Sequence, residues 1–111
     1  MTTTVAIAYD RAKLVELFGD DADTLAVVER EFLATARGAE REIAETTDCT
    51  TIARAAHRLK GASGMIGAAG LCQVAEAVER AAKAHDLSSI RRINETFSLE
   101  VRRVADQVGA G

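Results

Sequence analysis

The sequence predicts an all-α fold: an antiparallel up-down-up-down four-helix bundle with an additional short N-terminal helix. Three observations predict it. Apolar residues recur every three or four positions through four long stretches, the spacing of helices that each bury one face. Only short polar or glycine-containing breaks separate these stretches, and short connections force neighbouring helices to run antiparallel. The chain has no proline, is rich in alanine, and has no segment that alternates with period two for long enough to make a strand. Of its 111 residues 48% are apolar, enough for one core, and we expect a single domain over residues 1–111.

Residues 1–8 read as an extended, loosely held arm. Asp10 can cap a short helix to about Phe18 with Leu14, Leu17 and Phe18 as its apolar face, and Gly19 ends it. Asp20 or Asp21 then caps a long helix to about Glu45, whose stripe is Leu25, Val28, Phe32, Ala36, Ala39 and Ile43. Gly38 inside it marks either a close helix contact or a weak point. Residues 46–50 form a polar break, and Asp48 or Thr50 caps the third helix, which stops near Gly67. Gly67-Ala68-Ala69-Gly70 is the expected reversal. A fourth helix follows from about Leu71 to His85, with Leu71, Val74, Ala75, Val78, Ala82 and His85 facing inward. His85, on an apolar stripe at a helix end, reads as structural. Asp86-Leu87-Ser88-Ser89 breaks and recaps the chain. The last helix carries Ile90, Ile93, Phe97, Val101, Val104 and Val108.

The third helix is unlike the others. At about 100° per residue, Ile52, Ala55, Leu59, Ala62, Ser63 and Ile66 gather on one face and His57 falls roughly opposite. Ala53, Arg54, Lys60, Gly61 and Gly64 lie beside it on the outer face. Each glycine in a helix interior costs about 1 kcal/mol relative to alanine. Two of them on an outward face pack nothing inside the protein, so close approach by another molecule is one explanation. Geometry alone leaves open whether His57 is a reactive group in a clearing or a surface histidine on a weakened helix.

The stretch His57-x-Leu59-Lys60-Gly61-x-x-Gly64-x-x-Gly67-Ala68, about a tenth of the chain, resembles the signature of histidine-phosphotransfer (HPt) domains. These four-helix modules relay phosphoryl groups in two-component signalling. The resemblance implies that His57 attacks through Nε2 and carries the group as a phosphoramidate. Imidazole suits this, because its unperturbed pKa of about 6.5 leaves it substantially uncharged near neutral pH. In the family the lysine at the position of Lys60 offsets the charge of the phosphoryl oxygens. If the reversal centres near Ala68, His57 and Glu79 stand eleven residues to either side and face each other across antiparallel helices. Glu79 then either accepts from His57 Nδ1, as in some HPt domains, or pairs on the surface with Arg80 or Lys83. Gly61 and Gly64 would clear space for a partner. Arg54 and Arg58, at the edges of that face, would meet the acidic pocket of a receiver domain or be ordinary solvated charge.

The expected function is therefore a phosphorelay intermediate that takes a phosphoryl group from a receiver-domain aspartate, or from a kinase such as a hybrid histidine kinase, and passes it to another receiver. The alternative is a non-catalytic helical adaptor that docks a signalling partner through the His57, Gly61 and Gly64 face. A cofactor-binding bundle is disfavoured, because the outward histidine has no facing ligand. There is no glycine-rich nucleotide loop, so no ATP site is expected, and no acidic cluster or histidine pairing that would hold a metal. No cofactor is expected, and the resemblance implies that a response-regulator receiver domain supplies the aspartate and the Mg²⁺. A net charge of −3 argues against nucleic acid as a partner. No apolar run approaches a membrane span, the start lacks a signal peptide, and two irregularly placed cysteines read as reduced thiols, with Cys72 expected to be buried. We expect a cytoplasmic monomer and, from the initiating Met and the full set of helices, a free-standing protein.

Overall fold

The computed structural model describes residues 8–110. Five helices and no strand lie among them: α1 (Arg11–Phe18), α2 (Ala22–Glu45), α3 (Cys49–Met65), α4 (Ala69–Lys83) and α5 (Leu87–Ala110). Helices α2 to α5 close into a ring in which α3 packs most extensively on α4 and α5 returns to α2, while α1 lies against α2. Arg58 of α3 reaches Glu42 of α2, Glu79 of α4 reaches His57 of α3, and Arg91 at the start of α5 reaches the end of α2. These pairings run in opposite chain directions, as an up-down-up-down bundle requires. No helix among the described residues is long and apolar enough to cross a membrane.

The helix ends follow local side-chain chemistry. Asp10, Asp21 and Asp48 accept backbone N–H bonds from Ala12, Thr24 and Thr50, so Asp21 rather than Asp20, and Asp48 rather than Thr50, are the caps. Asp86 caps α5 through the Ser89 N–H at 3.0 Å. At the end of α2, Arg91 donates to the carbonyls of Ile43 and Thr46, both at 2.8 Å, which satisfies groups that the helix itself leaves open. No side chain caps α4, but the Glu100 carboxylate of α5 lies against Gly70 in its first turn, where a helix favours negative charge. An added Cβ at Gly70 would sit 2.7 Å from that carboxylate, the flexible end of a side chain that can shift to make room.

Several expectations are corrected. The reversal is tighter than Gly67–Gly70: α4 begins at Ala69, and the loop is residues 66–68. Gly67 adopts φ +71° while its N–H and that of Ala68 return to the carbonyls of Gly64 and Ser63. The same closure ends α4 at Lys83, two residues early. His85 takes φ +55°, its N–H bonds the Ala82 carbonyl, and that of Asp86 bonds the Ala81 carbonyl. His85 is therefore exposed in a turn, not on the inner face. Of the expected α1 face only Leu14 is buried; Leu17 and Phe18 are exposed, because so short a helix turns a single position toward the core. Ala62, Val28 and Val74 are half-buried at the core edge, and Ala56, absent from the expected stripe, is fully buried. Among the described residues nothing beyond its own helix lies within 4 Å of a Cβ placed on Gly38, so no close helix contact there explains it. Cys49 and Cys72 are both free and half-buried.

Residues 1–7 of the expected arm lie outside the described residues, and Ala8 is not loosely held. Ala8 and Tyr9 are buried, and both donate backbone N–H bonds to Gln107 Oε1 while Gln107 Nε2 donates to the Tyr9 carbonyl. The Tyr9 hydroxyl bonds Glu29, and the Asp10 N–H bonds the Ile66 carbonyl at 3.0 Å. The segment entering α1 is thus tied both to α5 and to the reversal between α3 and α4.

That reversal sets up a contrast between glycines. An alanine at Gly67 would carry positive φ, costing about 1–2 kcal/mol, and its Cβ would also fall 2.7 Å from Asp10 Cβ. At Gly61, nothing beyond its own helix lies within 4 Å of an added Cβ. We predict that Gly67→Ala lowers stability by at least about 1 kcal/mol whereas Gly61→Ala raises it by about 1 kcal/mol. Urea melts of the two variants beside the parent check both signs.

Candidate functional site

Helices α3 and α4 meet along a seam of small residues. Ala55 and Ala56 on one side and Ala75 and Ala82 on the other are buried, so the backbones approach closely enough for Cys72 Sγ to donate to the Lys60 carbonyl at 3.6 Å. The 66–68 reversal fixes how the two helices register. Gly64 faces Cys72 and His57 faces Glu79, each pair equidistant from Ala68.

His57 stands at the outer rim of the seam between buried Ala56 and buried Leu59, and its side chain is 67% exposed. Its Nδ1 lies 2.9 Å from Glu79 Oε2. Glu79 is only 5% exposed, although it is a carboxylate on a bundle surface helix. Three donors compensate its burial: His57 Nδ1 and Lys83 Nζ share Oε2, the latter at 3.3 Å, and Lys60 Nζ takes Oε1 at 3.1 Å. Burial opposes ionisation, but the hydrogen bonds from Lys60, Lys83 and His57 outweigh it and push the carboxyl from 4.5 down to about 2. Glu79 is therefore an anion at any physiological pH and can only accept. The ring must donate from Nδ1, and a neutral His57 then carries its lone pair on Nε2. Nε2 has no partner among the described residues.

The structure brings His57, Lys60 and Glu79 into one cluster. Gly61 and Gly64 are both exposed on the same side of α3; beyond its own helix, the only atom among the described residues within 4 Å of a Cβ on Gly64 is Cys72 Sγ, at 4.0 Å. Arg58 is drawn sideways to Glu42 Oε2 at 3.4 Å, and Arg54 is exposed one turn before His57. The two readings of Glu79 do not exclude each other, for it bonds His57 and pairs with Lys83 together. Arg80 turns instead to Glu76, at 3.5 Å. Lys83, four residues after Glu79, is the pairing partner that the sequence offered beside Arg80; that it joins the His57 cluster is what the sequence did not show.

A histidine oriented through Nδ1, with Nε2 free beside a lysine and a glycine clearing, suits acceptance of a small anionic group. The family model of the Hpt domain matches residues 13–110. The chain belongs to the Hpt domain family. Its role is histidine phosphotransfer in two-component phosphorelay signalling. No curated protein and no solved structure matches this Hpt domain.

The Glu79 cluster makes a prediction about acid stability. The carboxyl has a lower pKa folded than unfolded, so its pairing stabilises the fold fully above about 4.5 and is lost as pH falls through about 2. Glu79→Gln should cost about 1.5 kcal/mol at neutral pH, with the gap to the parent closing between pH 4.5 and pH 2. Urea melts across that range measure the gap, and a gap independent of pH would mean that the carboxylate charge is not what the fold uses.

Proposed function

We propose that this Hpt domain is a phosphorelay intermediate that accepts a phosphoryl group on His57 and passes it on. The donor is a receiver-domain aspartyl phosphate or a histidine kinase, and the acceptor is a second receiver. The observation that supports this most is the 2.9 Å contact of His57 Nδ1 with the buried Glu79 carboxylate, which leaves Nε2 as the exposed nucleophile.

The transfer follows from this arrangement. The Nε2 lone pair forms the N–P bond as the P–O bond to the donor aspartate breaks, and the aspartate leaves with the electron pair. Nδ1 keeps its proton, so the ring becomes formally cationic, and Glu79 stabilises that charge where it develops. Lys60, held by Glu79 one turn away, offsets the phosphoryl oxygens. The receiver supplies its aspartate and Mg²⁺, and positioning and electrostatics carry most of the catalysis. Gly61 and Gly64 clear its path, and Arg54 and Arg58 border the contact. In this reading the domain works as a cytoplasmic monomer without a nucleotide or metal of its own.

Two experiments test the reading. Incubation with a phosphorylated receiver and Mg²⁺ should give acid-labile phosphohistidine in the parent and none in His57→Gln, with helical circular dichroism unchanged. A relay reading does not survive equal labelling of the two, and a parent that never labels is an adaptor instead. Lys60→Ala should slow single-turnover transfer by about tenfold, the effect of losing on the order of 1.4 kcal/mol of transition-state stabilisation.

The glycine clearing predicts a separation between donors. Gly64→Leu should fold normally and still be labelled by a small phosphoramidate, yet accept poorly from the receiver, because its new side chain occupies the approach to Nε2. Normal rates with both donors would show that the glycines clear nothing.

A further inference from the structure

The buried Glu79 carboxylate is paired with two lysines among the described residues. Lys60 takes Oε1 from α3, and Lys83 takes Oε2 from α4, the same oxygen that accepts from His57 Nδ1. Charge on the cluster without His57 is thus +1 rather than zero. This has a chemical consequence. A carboxylate hydrogen-bonded to an imidazole favours the imidazolium form, which has no lone pair to attack phosphorus. Orientation by Glu79 alone would therefore work against nucleophilicity. A second ammonium on the same oxygen weakens that pull while leaving the carboxylate in place as an acceptor.

We propose that Lys83 is a positioning residue of the phosphoryl-accepting site: it shares Oε2 with His57 and so limits how strongly Glu79 holds a second proton on the ring. The inference rests on His57 as the acceptor and adds a residue to that reading. Lys83 is 68% exposed, so it has no packing role that would force it into this position. The other charges nearby have other partners or stand further off. From α4, Arg80 pairs with Glu76. From α3, Arg58 pairs with Glu42 of α2, and Arg54 is exposed. From α5, no charged side chain pairs with the cluster among the described residues. Lys60 serves the other oxygen and the phosphoryl group, so the two lysines are not interchangeable.

The test compares the parent with Lys83→Met, Lys83→Arg and Arg80→Met at low ionic strength, where exposed charges are least screened. Two pH profiles are read for each: the His57 ring resonances by NMR, and the rate of labelling by a small phosphoramidate. Removing one charge about two hydrogen bonds from the ring should move both profiles of Lys83→Met to higher pH by roughly half a unit. Lys83→Arg should restore the parent profiles, and Arg80→Met should leave them in place. Superimposable ring profiles for Lys83→Met and the parent overturn the inference, as does an equal shift in Arg80→Met, which would reduce Lys83 to general surface charge. If the parent is never labelled, the relay reading falls and this role falls with it. The ring profiles, which need no phosphoryl transfer, tell these two failures apart.

Discussion

The burial of one carboxylate organises the functional face of this bundle. Glu79 sits on a helix otherwise lined inward by leucine, alanine and valine, and a lone buried anion there would be strongly unfavourable. It is tolerated because His57, Lys60 and Lys83 converge on its two oxygens from both sides of the α3–α4 seam. Every member of the cluster is fixed by the need to satisfy it. The ring is turned so that Nδ1 points inward, the lysine one turn away is held on the same carboxylate, and Nε2 is left facing out. In the proposed relay, stability and reactivity draw on the same contacts.

Those contacts depend on register, and register depends on the reversal between α3 and α4. Three residues suffice because Gly67 takes a positive φ, with its own amide and that of Ala68 bonded back onto α3. The entry to α1 packs onto this reversal through the Asp10 amide and the Ile66 carbonyl, and is itself tied to α5 through Gln107. A slip of one residue in the turn would rotate α4 by about 100° and carry Glu79 away from His57. The small side chains along the seam let the helices lie close enough for a glutamate to span the gap directly.

The same helix gives up stability on its outer face. Gly61 and Gly64 have room for a side chain and contribute nothing to the core, whereas Gly67 is required by its positive φ and by Asp10 packed against it. Glycines within a dozen residues of one another thus have opposite physical reasons. The two that weaken the helix lie beside His57, where the proposed relay would bring a partner's phosphoryl-bearing residue close, the kind of position where function opposes local stability.

The periodicity of apolar residues determined the helices and their arrangement, because burying one stripe per helix with short connections leaves few alternatives to an antiparallel ring. It also determined that His57 faces out, since Ala55 and Leu59 must face in, and the spacing of His57, Lys60 and the glycines was enough to suggest the Hpt family. What the sequence did not determine were features set by contacts between distant residues. Whether α4 ended at Lys83 or His85 depended on how two amides folded back onto Ala81 and Ala82, and a histidine at positive φ has no periodic signal. That Ala8 and Tyr9 were anchored followed from Gln107, almost a chain length away. Glu79 could be placed opposite His57 by counting from the turn, and Lys83 offered as its local partner four residues on, but its burial and the recruitment of Lys60 from α3 were decided only by the tertiary structure. A carboxylate's environment is the sum of every donor that folding brings within a few ångströms, and α3 and α4 contribute those donors from positions that are local on each helix but meet only across the seam.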